Sequence, residues 1–293
     1  MRLNYSRTGF LALAGLLVGT SPGSSFDYQS EFKKQDTQST NSIQEKVRQA
    51  LGEDLDEEDG ISALFALGDE AVPSLIRFLS DPEKGRRVSA ARGLAFIGNL
   101  EGMRALRSAV TAEKDKEAKL AMSCFLAGGL VGANSRSDLE FLNHLAEGAR
   151  FTSADDERSF PAVCAALALG MMGRIDSLPV LRKIAGADLI GSEEVGKAIR
   201  RMEGKTSFGP PKNGQFLSDE ELIKNAILDG TFFGEAEGDK TSVTQITFNR
   251  DQNKAMVSLR ISLSIRAARG YNLVLAKENG AWKVVGIWFA WIA

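Results

Sequence analysis

Apolar residues recur along residues 43–204 at spacings of three and four, which is the period of a helix with one buried face. One pattern occurs four times: an apolar helix that ends in glycine, a short turn, and a second, amphipathic helix. The glycines that end the four first helices are Gly68, Gly98, Gly132 and Gly173. Glycine suits these positions because it adopts the left-handed backbone of a helix end without the steric penalty of a Cβ atom. The pattern therefore predicts four helical hairpins, which must stack because a single hairpin cannot bury both faces of its inner helix.

A further helix is predicted over residues 192–204, where a polar face would cover the end of the stack. Across residues 43–204 the hairpins follow the pattern AxxLxxxG and then PxLxxxL, as in SAARGLAFIG and VPSLIRFL. In this pattern the chain resembles HEAT repeats, most closely the short HEAT-like repeats of bacteria. The resemblance implies an α-solenoid, a right-handed stack of helical hairpins whose concave face holds other macromolecules. It implies no reaction.

The period changes after residues 205–215, a segment that contains two adjacent prolines and is predicted to be a linker. Ser218 and Glu221 have the spacing of a capping box, which predicts the start of a single helix. Apolar and polar residues then alternate from Val257 to Ile265, which is the period of a strand with one core face and one polar face. Three more strands are predicted at Thr244–Phe248, Tyr271–Ala276 and, after an Asn-Gly turn, Trp282–Ala293.

One helix and four antiparallel strands that end in LxLxKENGxWKVxxI make residues 216–293 resemble a small cystatin-like or NTF2-like α+β domain. Larger members of that superfamily carry extra helices, and some perform isomerase or dehydratase chemistry between helix and sheet. This region lacks the extra helices and contains no histidine, so the resemblance is carried over for the fold alone. A small-ligand site or an enzymatic site in a pocket of this domain is the alternative function.

The first 25 residues have the order of a secretory signal. Arg2 and Arg7 precede an apolar run over residues 10–18, and small and polar residues follow. The run is shorter than the roughly 20 residues that span a bilayer. We therefore expect a cleaved signal peptide over residues 1–25 and export to the periplasm or the extracellular space, with an uncleaved anchor as the alternative. The polar residues 26–42 are predicted to be a disordered leader.

Charge and composition argue against several classes of function. The chain carries 36 Lys and Arg against 38 Asp and Glu, so it has no basic field for nucleic acid. One His and two Cys cannot supply the roughly four ligands of a structural zinc site. The acidic run over residues 53–59 does not fit an EF-hand, because placing Gly60 at loop position six puts Ala66 where the loop needs Glu. We expect no metal, no cofactor, no nucleic-acid partner and no stable membrane span.

The expected function is that of a non-enzymatic scaffold that binds a protein partner, because repeat arrays offer extended surfaces for recognition. The candidate partner surface comprises outward residues of the second helices: Ser74, Arg77, Arg104, Arg107, Asn143, His144 and Lys183. Three arginines, Arg77, Arg107 and Arg182, share one position in their repeats. They form either a cationic column for an acidic partner or the ion-pair ladder by which HEAT repeats tie neighbouring repeats together, with Glu101 and Asp176 as its acids.

Two further features allow more than one interpretation. Cys124 and Cys164 lie on the first helices of neighbouring repeats, where they form either a disulfide or two buried thiols. The last strand carries aromatic residues on both faces, and Phe289, Trp291 and Trp288 form a candidate docking or dimer face. This face would pack on the last helix of the array, around residues 195–202, line a ligand cavity, or make a homodimer through the C-terminal sheet.

Overall fold

The computed structural model describes residues 42–51, 58–132, 135–148, 159–187, 189, 191–203, 218–228, 240–264 and 267–292. A helical region is followed by one helix and a four-stranded antiparallel sheet, which confirms the predicted fold class at that level. The predicted signal segment, the residues of the leader up to 41, the predicted linker and residues 53–57 of the acidic run lie outside the described residues. Helices and sheet pack within one unit, Ser42–Ala293.

The helical region consists, within the described residues, of ten helices in chain order. Helix α1 covers residues 42–51. The helices that follow are α2 Glu58–Leu67, α3 Val72–Phe78, α4 Lys84–Ile97, α5 Leu100–Ala112, α6 Lys116–Gly129, α7 Arg136–Glu147, α8 Phe160–Met171, α9 Leu178–Ala185 and α10 Ser192–Met202. Short 3-10 turns precede α3 and α9. None of the described helices is long and apolar enough to cross a lipid bilayer.

The four first helices pack side by side in the order α2, α4, α6, α8, and α10, the predicted end helix, packs on α8 and α9. In addition, α3 packs on α5 and α7 packs on α9. Buried leucines such as Leu94 and Leu126 fill the space between them. Gly68, Gly98 and Gly173 have φ near +60°, the left-handed conformation that was predicted for the ends of first helices. The prediction for Gly132 is wrong, because α6 already ends at Gly129 and Gly132 lies in the turn that follows, where its N–H donates to the carbonyl oxygen of Val285 in the sheet at 3.0 Å.

The C-terminal part begins with helix α11, Asp219–Leu228, and continues with strands β1 Lys240–Phe248, β2 Lys254–Ser264, β3 Ala267–Glu278 and β4 Ala281–Ile292. The strands pair in sequence order, β1-β2-β3-β4. The predicted capping box is confirmed, because the Ser218 N–H donates to the Glu221 carboxylate at 2.8 Å and the Glu221 N–H donates to the Ser218 hydroxyl at 3.3 Å.

The two sides of the sheet contact different helices. Strand pairing places Val257, Leu273 and Ile287 on one side, and helix α11 contacts the two edge strands, β1 and β4. Ser258, Asn272 and Trp288 lie on the opposite side, which faces the helical region, and all three are buried. The alternation in β2 predicted that one face of the strand is polar, but Ser258 on this face is buried. Burial is tolerated because the Ser258 hydroxyl donates to the Asn272 side-chain oxygen at 2.9 Å.

Candidate binding cleft at the junction of helices and sheet

Trp288 is the main contact between the sheet and the helices. Its ring stacks on Phe96 of α4, with centroids 4.2 Å apart and planes 16° from parallel. Its indole N–H donates to the carbonyl oxygen of Phe125 in α6 at 2.9 Å. A Cβ atom on Gly128 of α6 would overlap the Ile287 carbonyl oxygen, so only glycine allows β4 to approach α6 this closely. Strand β4 therefore packs on α6 and α8, and Trp288 also reaches α4, whereas the position predicted within the helical region was its last helix.

Phe289 and Trp291 complete the predicted docking or dimer face. Phe289 is partly buried, with its ring edge-on to Phe160 of α8 at 5.8 Å and to Tyr271 of β3 at 5.1 Å. Trp291 lies in β4, and its side chain is outside the described part of the chain. Two of the three residues of this face therefore contact other parts of the same chain.

Lys254 makes a second contact between sheet and helices. Its ammonium donates to the carbonyl oxygen of Ile97 at 2.6 Å and so satisfies one of the free carbonyls at the C-terminal end of α4. A cation at this helix end also interacts favourably with the helix dipole. Burial lowers the pKa of Lys254, because the charged form loses hydration.

A cleft of about 480 Å³ remains between these contacts. We call it the junction cleft. It is bounded by the end of α4, by α5, by the turn between α6 and α7, and by the sheet. Its apolar lining includes Leu100, Met103, Leu130, Val285 and Trp288, and its charged lining comprises Arg104, Arg107, Asp138 and Lys254. This volume lies in the range of about 300–1,000 Å³ that is typical of ligand pockets.

The charges in the junction cleft leave an excess of positive groups. Arg107 pairs with Asp138 at 2.6 Å and donates to the Ser137 carbonyl oxygen at 2.7 Å, so its charge is compensated. Arg104 is exposed and forms no ion pair with any residue that the structure describes. The Lys254 ammonium has three N–H groups, of which Ile97 accepts one. Arg104 and Lys254 can therefore bind an acidic group that enters the cleft.

The candidate partner surface is only partly brought together. Arg104 and Arg107 line the junction cleft, whereas Arg77, His144 and Lys183 are exposed elsewhere, on α3, α7 and α9. The two others make contacts within the protein: Ser74 is buried and accepts from Arg77 at 3.3 Å, and Asn143 accepts from the Ser177 hydroxyl at 2.9 Å. Ser74 is therefore not an outward residue, because α3 turns it towards the core.

Two of the three arginines that share one position in the predicted repeats pair with an acid of the next predicted repeat or of the end helix. Arg107 of α5 pairs with Asp138 of α7, and Arg182 of α9 pairs with Glu203, just after α10, at 2.7 Å. The third, Arg77, donates to Ser74 on its own helix. Two of the three arginines thus join neighbouring units, as a ladder requires, although their acids are Asp138 and Glu203 in place of Glu101 and Asp176.

A buried polar cluster at the start of β3 was missed by the sequence analysis. Arg269 donates to the Glu194 carboxylate of α10 at 2.6 Å, and the Glu194 side chain is only 1% exposed. The Tyr271 hydroxyl is buried beside them; burial, with a smaller contribution from the Glu194 carboxylate, raises the pKa of Tyr271. In the sequence, Glu194 follows another glutamate in the first turn of a polar helix, where solvent exposure is the usual expectation.

No protein-family model matches the chain, and no curated protein matches it at a significant level of similarity. Within the described residues, no group of three or more His, Cys, Asp or Glu side chains could hold a metal ion. The junction cleft and the buried cluster around Glu194 are therefore interpreted from their own geometry.

Proposed function

We propose that the protein is an exported, non-enzymatic protein-interaction scaffold that holds an acidic, partly apolar segment of a partner protein in the junction cleft. The observation that carries this proposal is the lining of the cleft, which combines apolar side chains, among them the exposed Leu100, with two cationic groups, Arg104 and Lys254, that form no ion pair with a described carboxylate. Asp69 acts on Lys254 electrostatically but does not form an ion pair with it. In this proposal residues 43–204 form a HEAT-like solenoid and residues 216–293 a cystatin-like or NTF2-like domain. Residues 1–25 direct export and are then cleaved from the exported chain.

The apolar part of the cleft favours a polypeptide partner over a small ion. Leu100 is 67% exposed, and it lies beside Met103 and Val285 at the cleft. A large exposed aliphatic side chain next to a cleft provides the kind of surface that binds an apolar side chain of a partner. Arg104 lies one residue after Met103, so a carboxylate near that apolar side chain could reach its guanidinium. Arginine is enriched at protein interfaces because its planar group forms paired hydrogen bonds with carboxylates.

The experiment compares two charge reversals in the full chain with three peptide pools. The pools contain acidic and apolar, neutral and apolar, or basic and apolar peptides of equal length, and binding is measured by fluorescence anisotropy. Arg104→Glu removes a cleft charge, and Lys183→Glu is the control because Lys183 is exposed on α9, outside the cleft. We expect the acidic pool to bind most tightly and Arg104→Glu to weaken it by about 10-fold or more, the effect of losing one charge-assisted contact.

Equal binding of all three pools would contradict the acidic partner. An equal loss in Arg104→Glu and Lys183→Glu would assign binding to the general charge of the second helices, and the cleft would then not be the site. The melting temperatures of both variants should stay near that of the wild type, because both side chains are exposed.

The buried cluster of Glu194, Arg269 and Tyr271 favours a second candidate function, a small-ligand site at the sheet. Titratable groups with shifted pKa values occur often at functional sites, although structural ion pairs shift them too. A thermal-shift screen of small organic acids against wild type and Tyr271→Phe tests this candidate. A stabilising ligand whose effect disappears in Tyr271→Phe would favour it, and the absence of any such ligand would leave the cluster a structural ion pair.

A further inference from the structure

Cys124 and Cys164 face each other across two neighbouring first helices. Cys124 lies on α6 and Cys164 on α8, these helices pack side by side, and both thiols are buried and free. Burial raises the pKa of the Cys124 thiol, and the neighbouring Cys164 thiol adds to this effect, so the two thiols are neighbours in the helix interface.

The contacts of strand β4 show independently that the segments of α6 and α8 around the two cysteines lie beside the same part of the sheet. The indole of Trp288 bonds to Phe125, the residue after Cys124, and the ring of the next residue in β4 contacts Phe160, one turn before Cys164. Two adjacent strand residues thus contact α6 and α8 at the levels of the two cysteines. Both cysteines therefore lie on the parts of α6 and α8 that contact the same segment of β4.

We propose that Cys124 and Cys164 form a disulfide that joins α6 to α8 when the chain folds in an oxidising compartment. The oxidant is a disulfide reagent such as oxidised glutathione. One cysteine thiolate attacks the reagent and releases one thiol, and the other cysteine displaces the second thiol from the mixed disulfide. The two cysteines are oxidised to one S–S bond, the reagent is reduced to two thiols, and both cysteine protons end on the released thiols.

The bridge forms during folding, before the helices close over the thiols. In the folded chain, burial raises the pKa of the Cys124 thiol, so the reactive thiolate is scarce, and no reagent can reach the sulfur without local opening. The same burial protects the bridge once it exists, because a reducing thiol must also reach the sulfur atoms. We therefore expect a bridge that resists mild reductant under native conditions.

The test uses the full chain refolded from denaturant in a mixture of oxidised and reduced glutathione, with a sample refolded in excess reductant as the matched control. We expect no free thiol in the oxidised sample after denaturation, an intact mass lower by two hydrogen atoms, and a digest peptide that links Cys124 to Cys164. Because the bridge closes a chain segment of about 40 residues, it should raise the melting temperature by about 10 °C over the reduced sample.

Cys124→Ser and Cys164→Ser serve as further controls, and Cys124→Ala replaces the first if the serine variant fails to fold. Each leaves a single thiol, so the difference in melting temperature between oxidised and reduced samples should disappear. Two titratable thiols after oxidative refolding, or bridges between chains in place of the internal one, would overturn the proposal. Peptide binding in the junction cleft does not enter this test, so the two proposals can fail separately.

Discussion

Replacing Trp288 with alanine removes the largest side chain that joins the sheet to the helices. The indole is 5% exposed, stacks on Phe96 and donates to the carbonyl oxygen of Phe125. Truncation of a buried aromatic residue to alanine costs about 3–5 kcal/mol, and loss of a hydrogen bond adds about 1 kcal/mol. We therefore expect Trp288→Ala to lower the free energy of unfolding by about 4 kcal/mol or more, which is a large part of the stability of a typical domain.

Two further variants separate the contribution of the indole hydrogen bond from that of ring packing and provide an exposed control. Trp288→Phe keeps an aromatic ring against Phe96 but loses the indole hydrogen bond, so it should lower the free energy of unfolding by about 1–2 kcal/mol. Ile175→Ala is the exposed control: Ile175 is 66% exposed in the turn before α9, and its truncation should change stability by about 0.5 kcal/mol or less.

The assay is urea unfolding of each variant, followed by far-ultraviolet circular dichroism, together with limited proteolysis under native conditions. Trp288→Ala should shift the unfolding midpoint to lower urea and expose the sheet to protease before the helices, because the sheet loses its main anchor. A loss below about 1 kcal/mol, no larger than that of Ile175→Ala, would refute the claim that this ring holds the sheet on α4 and α6.

Three further predictions concern single contacts, each measured by denaturant unfolding. Gly128→Ala should cost about 1–3 kcal/mol because its Cβ atom would strike the backbone of β4, whereas Gly85→Ala in α4 should be neutral or slightly stabilising because its Cβ atom would meet only the Glu83 side chain, at an ordinary contact distance of 3.6 Å. The hydrogen bond from Lys277 lowers the pKa of the Asp219 carboxyl, so the ionised carboxylate stabilises the fold above the unfolded pKa of about 3.9, and this stabilisation is lost as the pH falls through the lower folded pKa. Asp219→Asn should therefore make the free energy of unfolding depend less on pH in the acidic range. An unchanged pH dependence would contradict this prediction. Arg269→Met should cost about 3–5 kcal/mol because it leaves the Glu194 carboxylate buried without its cation, and adding Glu194→Leu should recover most of that loss; a single variant as stable as wild type would show that the pair is not needed.

Local pattern was sufficient to predict which segments form helices and strands, but not all of their bounds: β1 and β3 each begin four residues earlier than predicted, at Lys240 and Ala267. The glycine at position 98 ends α4 with the left-handed backbone that its sequence context predicts, and the alternation from Val257 onward falls within β2. Both predictions rest on interactions between residues that are close in sequence, where side-chain spacing determines which face is apolar.

Long-range packing could not be predicted in the same way. Lys254 donates to the carbonyl oxygen of Ile97, a residue that lies 157 positions earlier. The spacing of apolar residues does not indicate which helix end a lysine in a strand will contact. Ser258 is polar in the pattern but buried in the structure, because Asn272 on the next strand satisfies its hydroxyl. Two sequence features bear on the docking of β4: its aromatic residues, which predicted a docking face, and the paired glycines Gly128 and Gly129 at the end of α6, since small residues permit close approach.

The junction cleft is built from two parts of the chain: the helices supply Met103 and Arg104, and the sheet supplies Lys254, Val285 and Trp288. It therefore exists only while the sheet is docked, and undocking would abolish it instead of reshaping it. Whatever occupies the cleft binds the docked form alone, so occupancy and docking are linked equilibria. Each bound molecule therefore stabilises the docked form, and any change that lowers the docked fraction weakens the apparent affinity in proportion to that fraction.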